Sequence, residues 1–446
     1  MKLAIVGAGY VGLVAGACFA DVGNTVTMVD RSEERVAAIL DGRSPIWEAG
    51  LDDLLQAVRE RRRLLATTSL AEGIRDADAV FIAVGTPAQA DGTADVSAVE
   101  AVLESIAEHA GGSHVYVVLK STVPPGTNER LTQWLAERGI SNLELVSNPE
   151  FLKQGDAVRD FMGPDRVIVG TRTERATELM RALYGPFMVR SKRLQVMDPT
   201  SAEITKYASN AMLASRVSFM NDLARLCEAL GADVGSVRRG MGSDSRIGPH
   251  FLYASLGYGG SCFPKDVAAL SAIGRSVGVT QSLVEATAHV NQVQRLHVLQ
   301  RALDALGPEP AGKRAAVWGL AFKPMTDDVR ESAATALVAG LRDSGVACAV
   351  HDPAAVDNAL AVLGPEGITV VDDPLDALDG AHVLVIATEW RAYRTPDLQT
   401  FANRMANPII VDGRNIYEPR WFAGTPVTYH SVGRRTTGGD GPRTTW

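Results

Sequence analysis

The chain has 446 residues, and 44 Lys and Arg set against 52 Asp and Glu give it a net charge of −8. With 46% hydrophobic and 22% charged residues its composition is globular, which excludes wholesale disorder. The acidic balance argues against a nucleic-acid or polybasic membrane partner, and no apolar run approaches the roughly 18–20 residues that span a bilayer.

The first third alternates apolar strands with helix-length segments. LAIVGAG (3–9) reads as a buried strand running into Gly7-Ala8-Gly9-Tyr10-Val11-Gly12, which opens a helix rich in small residues. Gly7 suits a tight turn, Gly9 lets a pyrophosphate approach the backbone, and Gly12 permits close helix–strand packing. The helix N-terminus adds N–H donors and positive dipole. The N-terminus looks superficially like a short leader, but it runs into this motif and not into a cleavage site. TVTMVD (25–30) is the second strand, ending in Asp30, where a carboxylate binds a ribose 2′-hydroxyl and repels a 2′-phosphate. That favours NAD over NADP, although neighbouring Arg31 could serve a 2′-phosphate. DAVFIAVG (78–85) leads into Gly85-Thr86-Pro87, and HVYVVLK (114–120) into Ser121-Thr122-Val123-Pro124-Pro125-Gly126. Both stretches read either as plain turns or as ligand loops beyond strand ends. LELVSN (143–148) leads into Asn148-Pro149-Glu150-Phe151-Leu152-Lys153-Gln154-Gly155, and RVIVG (166–170) follows. Continuous apolar strands separated by helices imply a parallel sheet covered on both faces.

From about 199 to 300 the pattern is helical. SAEITKYASNAMLASRVSFMNDLARLCEALG predicts one helix of about thirty residues, with Lys206 and Asn210 on one face. A Gly-rich loop, Gly257-Tyr258-Gly259-Gly260-Ser261-Cys262-Phe263-Pro264-Lys265-Asp266, precedes more helix to about 306. The other cysteines, Cys18, Cys227 and Cys348, read as inert, and four without a CxxC pair make no disulfide framework, so a reducing cytoplasm is expected. Cys262 differs. Lys265 and a helix start beside it both favour a nucleophilic thiolate.

Strands return at AAVWGLAF (315–322), ACAVHD (347–352), HVLVIAT (382–388) and PIIVDG (408–413), a second α/β unit. Lys323 and Arg330 follow its first strand, and Arg414 closes its last. Each suits a nucleotide phosphate as well as a solvated surface. The expected architecture is α/β, with two Rossmann-like doubly wound parallel-sheet domains joined by a central helical region. The divisions are 1–198 for dinucleotide binding, 199–306 for the helical, dimer-forming region with the Cys loop, 307–430 for the second α/β domain, and 431–446 for a mobile tail.

A dinucleotide fold with a loop cysteine suggests oxidation through a thiol adduct. A thiolate captures an aldehyde as a thiohemiacetal, hydride loss gives a thioester, and water releases a carboxylate. An enzyme that stops at the aldehyde needs no such cysteine. GAGYVG, NPEFL, SAEITKYASNA, SRIGPHFL, GYGGSCFPKD, AFKP with Arg330-Glu331-Ser332, and DGR together resemble the UDP-glucose/GDP-mannose dehydrogenase family of nucleotide-sugar 6-dehydrogenases, to about residue 420. The resemblance implies Cys262 as nucleophile, Lys206 stabilising oxyanions with Asn210 assisting, Asp266 orienting a base or water, and Thr122 and Glu150 holding the hydrolytic water. It implies NAD contacts at Gly7, Gly9, Val11, Gly12, Asp30, Arg35, Thr86, Thr122, Gln154, Lys265 and Arg330. The nucleotide sugar would lie along Glu150, Phe151, Leu152, Lys153, Gln154, Lys206 and Asn210. It would also meet Arg246 from a neighbouring subunit, Phe251, Leu252, Tyr253, Ala254, Ser255, Gly259, Lys323 and Arg414. Gln154 replaces a usual acid, and RSPIWEAGL carries Trp47 and Ala49 where Tyr and Pro are common. SRIGPHFLYASLGYGGSCFPKD looks most like the branch acting on UDP-glucose, which implies four-electron oxidation to UDP-glucuronate. Relatives acting on GDP-mannose or UDP-N-acetyl-mannosamine share the Cys, the Lys and the layout. No metal is expected, and at least a homodimer is.

Overall fold

A computed structural model describes residues 1–188, 193–395 and 397–439. The chain divides into two compact units, Met1–Ser209 and Asn210–Trp446.

The first unit is built on eight strands: β1 (Lys2–Val6), β2 (Thr25–Val29), β3 (Leu64–Thr67), β4 (Ala79–Ile82), β5 (Val115–Leu119), β6 (Leu143–Ser147), β7 (Val167–Gly170) and β8 (Leu194–Met197). Their order is β3-β2-β1-β4-β5-β6-β7-β8. Six strands in the order 3-2-1-4-5-6 form the dinucleotide-binding arrangement, and its ligand crevice lies where the order reverses, between β1 and β4. The expected all-parallel sheet is corrected at one edge, because β7 pairs antiparallel with β6 through Ser147 and Gly170 and carries β8 with it. Two apolar layers cover the sheet. One holds Phe19, Phe81, Phe161, Tyr184 and Phe187 in a mostly edge-to-face cluster.

The second unit repeats the plan with β9 (Arg314–Trp318), β10 (Ala347–His351), β11 (Ile368–Val370), β12 (Val383–Ile386), β13 (Ile409–Asp412) and β14 (Thr428–Ser431). They are ordered β11-β10-β9-β12-β13-β14, all parallel. The reading placed neither β3, β8, β11 nor β14. Each is short, and all four sit at sheet edges, where the polar-apolar signal is weak.

The long helix, Pro199–Leu230, has 32 residues. Pro199 sits at its start, and Asp198 Oδ1 accepts the Ser201 N–H at 2.8 Å. Gly231, at φ +68°, ends it. Residues 431–439, expected to be mobile, are tied down: Tyr429 and Thr437 exchange backbone hydrogen bonds, and Arg435 Nε donates to Gly231 O at 2.8 Å. The rest of that tail, from 440, lies outside the described residues. Among the described residues no helix is long and apolar enough to cross a membrane.

Candidate active site

In the first unit the turn after β1 makes a cradle. Gly7 has φ +103°, and a Cβ there would stand 2.7 Å from Ala83 O. A Cβ on Gly12 would meet Gly7 O at 1.9 Å, so helix Tyr10–Asp21 packs against the turn as closely as the motif requires. At Gly9 a Cβ would meet nothing within 4 Å, and the helix that starts there has no side-chain cap and no acid in its first turn. An open backbone face at a helix N-terminus fits a pyrophosphate. Asp30 is buried, with Oδ2 accepting the Ala8 N–H at 2.7 Å and Oδ1 the Ser32 N–H at 2.9 Å, and Arg35 stands 3.7 Å from Oδ2. Its carboxylate ties the glycine turn to the end of β2 and keeps acceptor capacity for a ribose. Thr86 Oγ1 donates to Thr122 O at 2.8 Å, and Ser121 Oγ to Val84 O at 2.7 Å, joining the loops after β4 and β5 on the same edge. Gly85 offers a second open backbone face, and Val11 is half-buried in the first helical turn. These residues fit NAD.

Beside the cradle lies a buried ion pair. Lys206 Nζ is 2.9 Å from Glu150 Oε1, and the Leu152 N–H donates to Glu150 Oε2 at 2.6 Å. Burial alone would raise Glu150. The Lys206 ammonium, these hydrogen bonds and the charge of Lys120 outweigh it and hold the carboxyl below its ordinary range. The Phe151 ring lies 5.2 Å from Lys206 Nζ and 4.0 Å from the Arg166 guanidinium. A Lys on a helix face is usually solvated, yet the protein buries this one. A cavity of about 70 Å³ is lined by Lys120, Glu150, Phe151, Leu152, Lys153 and Arg166 among others. Lys153 pairs with Asp160 at 3.0 Å, and Gln154 follows it in the same loop.

In the second unit Cys262 is exposed and forms the N-cap of helix Phe263–Ser276. Cys18, Cys227 and Cys348 are buried, and burial pushes the Cys18 and Cys348 thiols up to about 12. One turn into the Cys262 helix, buried Asp266 accepts from Asn210 Nδ2 at 2.6 Å and from Lys265 Nζ at 2.5 Å. The Arg330 guanidinium is raised first by its hydrogen bond to Asp328 and also feels the charge of Cys262. A helix N-terminus and a nearby cation both favour a thiolate. Gly259 packs against backbone: a Cβ there would stand 2.2 Å from Glu331 O, so its lack of a side chain serves chain packing.

The loops above the second sheet converge on Arg414, whose Nε donates to Ala387 O at 2.7 Å and whose Nη2 donates to Phe322 O at 2.8 Å. Lys323 lies in the loop after β9, with its ammonium 5.7 Å from the Phe322 ring. Asp352, which follows β10 as Asp30 follows β2, accepts Leu320 N–H, Ala321 N–H, Ala354 N–H, Ala355 N–H and Trp390 Nε1–H. Five donors use up that carboxylate, so the second sheet keeps the fold of a dinucleotide site without its ribose acceptor. Of the expected nucleotide-sugar segment, Leu252 and Ser255 are buried, Phe251 holds φ +59°, and Tyr253 is exposed under the Arg238 guanidinium at 4.7 Å. Ala254 is half-buried between Tyr253 and Ser255. Arg246 is exposed and grips Asp244 at 2.6 Å.

Residues 1–188 match the NAD binding domain of a known family, 200–293 its central domain, and 316–419 its UDP binding domain. The chain belongs to the UDP-glucose/GDP-mannose dehydrogenase family. It is 45% identical to a UDP-glucose 6-dehydrogenase of Pseudomonas aeruginosa over 98% of each chain. It is 42% identical to one of Rhizobium meliloti, over 97% of this chain and 100% of that one. A UDP-glucose dehydrogenase of Pyrobaculum islandicum superposes with a TM-score of 0.90 at 38% identity, covering 97% of this chain and 98% of that one. A UDP-D-ManNAc dehydrogenase of Pyrococcus horikoshii superposes at 0.84 with 26% identity, covering 97% and 99%. Family membership makes the protein an NAD-dependent oxidoreductase of nucleotide sugars, in keeping with the cradle at Gly9 and Asp30.

Sequence reasoning missed the residues behind the site. Lys120 is buried, donating to Asn148 Oδ1 and Tyr184 OH, each at 3.2 Å. Glu48 accepts the Gly155 and Ala157 N–H groups, each at 2.7 Å, and the Tyr10 hydroxyl. A Lys beside STVP and a Glu between Trp47 and Ala49 carry no local signal of burial. Among the described residues no group of three or more His, Cys, Asp or Glu could hold a metal ion.

Proposed function

We propose that the protein is a UDP-glucose 6-dehydrogenase, oxidising the C6 hydroxymethyl of UDP-glucose to a carboxylate in two steps. The observation that carries the covalent chemistry is Cys262: it alone of the four cysteines is exposed, and it caps a helix with Arg330 in electrostatic reach. Bound NAD supplies a hydride acceptor for each oxidation.

The first oxidation makes a C6 aldehyde. Cys262 Sγ adds to it, forming the C–S bond of a thiohemiacetal whose oxygen takes a proton. Loss of that proton and a hydride leaves a thioester, and water cleaves the C–S bond to give the carboxylate and return the thiolate. The sum consumes one water and two hydride acceptors per sugar. Lys206 supplies positive charge for the oxyanion of each tetrahedral adduct, with Asn210, one helix turn away, as a second donor. Asp266, held by Asn210 and Lys265, and Glu150 with Thr122, orient water for hydrolysis. Gly9, Asp30, Arg35, Thr86, Gln154, Lys265 and Arg330 serve NAD. Phe151 to Gln154, Phe251 to Ser255, Lys323 and Arg414 serve the nucleotide sugar, with Arg246 donated from a second subunit. The exposed stripe of Met212, Phe219, Leu226 and Leu230 on the long helix supports a homodimer, and four cysteines without a CxxC pair suit a reducing cytoplasm.

The test is stoichiometry. Two NADH per UDP-glucose, no free aldehyde, and loss of complete turnover in Cys262→Ala are expected. One NADH with released aldehyde, or a fully active Cys262→Ala, overturns the covalent account. A panel including GDP-mannose and UDP-N-acetyl-mannosamine tests the choice of sugar.

A further inference from the structure

The loop leading to Cys262 is held from behind by three buried amides. Asn221, on the long helix, accepts the Ser255 N–H at 2.7 Å. Gln294, on helix Ser282–Leu306, donates to Ser255 O at 2.8 Å. Asn291, one turn earlier on that helix, accepts the Tyr258 N–H at 2.8 Å and donates to Tyr258 O at 3.1 Å. A single side chain there does for Tyr258 what a neighbouring strand does for a residue in a sheet. The fit is close: a Cβ on Gly257 would stand 2.8 Å from Asn291 Oδ1.

These positions lie in a helix-packing layer where leucine would be the stabilising choice. Asn221 Nδ2 and Gln294 Oε1 are sealed there with no hydrogen-bond partner among the described residues. The hydrogen bonds the three amides do make all go to the backbone of Ser255 and Tyr258. What offsets the cost of their burial is therefore the conformation of one loop, and that loop ends in Cys262.

We infer that Asn291, with Gln294 and Asn221, forms a positioning set that sets where the Cys262 thiol stands. None of its hydrogen bonds reaches the sulfur, so it acts through the loop backbone. The inference rests on the reading of Cys262 as the nucleophile.

The experiment uses the full chain with Asn291→Ala, Gln294→Ala and Cys262→Ala. For each, kcat and KM are measured with UDP-glucose and NAD, together with thermal unfolding, and the rate of Cys262 alkylation by iodoacetamide against pH is measured in the wild type and the two amide variants. In the two amide variants kcat falls by about tenfold to a hundredfold while KM for NAD stays within about threefold, and the alkylation profile moves from that of the wild type. Asn291→Asp keeps the acceptor for Tyr258 N–H and recovers part of the loss. Amide variants that turn over and alkylate like the wild type overturn the inference. So do variants that lose activity only by unfolding. An active Cys262→Ala removes the nucleophile reading instead, and a dead Cys262→Ala beside a fully active Asn291→Ala removes the positioning set alone.

Discussion

Lys206 and Glu150 form an ion pair 2.9 Å long with both side chains buried. Removing one partner of such a pair strands the other charge, at a cost of about 3–5 kcal/mol. Lys206→Met therefore destabilises the chain, and Glu150→Gln does so less, because the single amide oxygen can still accept from Lys206 Nζ in place of Oε1. The double variant Lys206→Met with Glu150→Leu regains most of the lost stability. On the proposed role of Lys206 activity does not return with it, because the oxyanion would lose its cation, worth about a hundredfold to a thousandfold in kcat. Paired denaturant melts and turnover assays separate the two effects. Recovery of both together would make the pair purely structural.

Lys120 titrates where a lysine ordinarily does not. Burial first, then the charge of Lys206, pull it down to about 8, against the opposing pull of Glu150. The hydroxyl facing it, Tyr184, is pushed up by burial and does not titrate in this range. Between about pH 8 and 10.4 the unfolded chain holds a proton that the folded chain has released, so this group's contribution to stability rises with pH across that window. It is fully present above about 10.4 and lost as pH falls through about 8, to the extent of about 3 kcal/mol. Unfolding free energies at pH 7.5 and 9.5, compared between the wild type and Lys120→Met, check this. Parallel pH dependences would place the ammonium in a wetter setting.

How much of this was legible depends on whether a residue acts locally. Gly7, Gly9, Gly12 and Asp30 are legible because a turn, a close approach and a strand end each ask for one residue type at a fixed spacing. Cys262 is legible because Gly257, Gly259 and Gly260 crowd its loop. The antiparallel β7 is not, because a strand's pattern does not encode its direction. Nor are Lys120, Glu48 and Asn291. Each makes its contacts with residues 28 to 109 positions away, and each looks in sequence like a solvated polar residue on a helix or turn.

Tyr10 and Glu48 hold the loop that follows β6. Burial and the neighbouring Glu48 carboxylate push the Tyr10 hydroxyl well up, so it remains a donor. Glu48 receives it together with the Gly155 and Ala157 N–H groups. Tyr10→Phe removes one donor to a carboxylate, about 1.5 kcal/mol, and raises KM for UDP-glucose roughly tenfold with little change in the fold. Glu48→Ala frees both N–H groups and costs more. Equal KM values in wild type and Tyr10→Phe would detach this clasp from substrate binding.

The C-terminal segment closes on Glu228. Burial would raise that carboxyl, but His297, Arg301 and the Gly433 N–H, which donates to Oε1 at 2.6 Å, hold it down at about 2. Arg301 Nη1 also donates to Ser431 O at 2.9 Å. Ending the chain at Val432 removes one hydrogen bond to a charged acceptor, worth about 1.5–3 kcal/mol, together with the Arg435 contact to Gly231. The melting temperature should fall by several degrees. Because Glu228 is depressed in the folded state, its contribution is complete above about pH 4.3 and is lost as pH falls toward 2. The truncated chain should lose part of that dependence, so the gap in stability between it and the full chain narrows under acid. A gap that stays constant from pH 7 to pH 2.5 would mean that Gly433 does not hold Glu228 in its charged form.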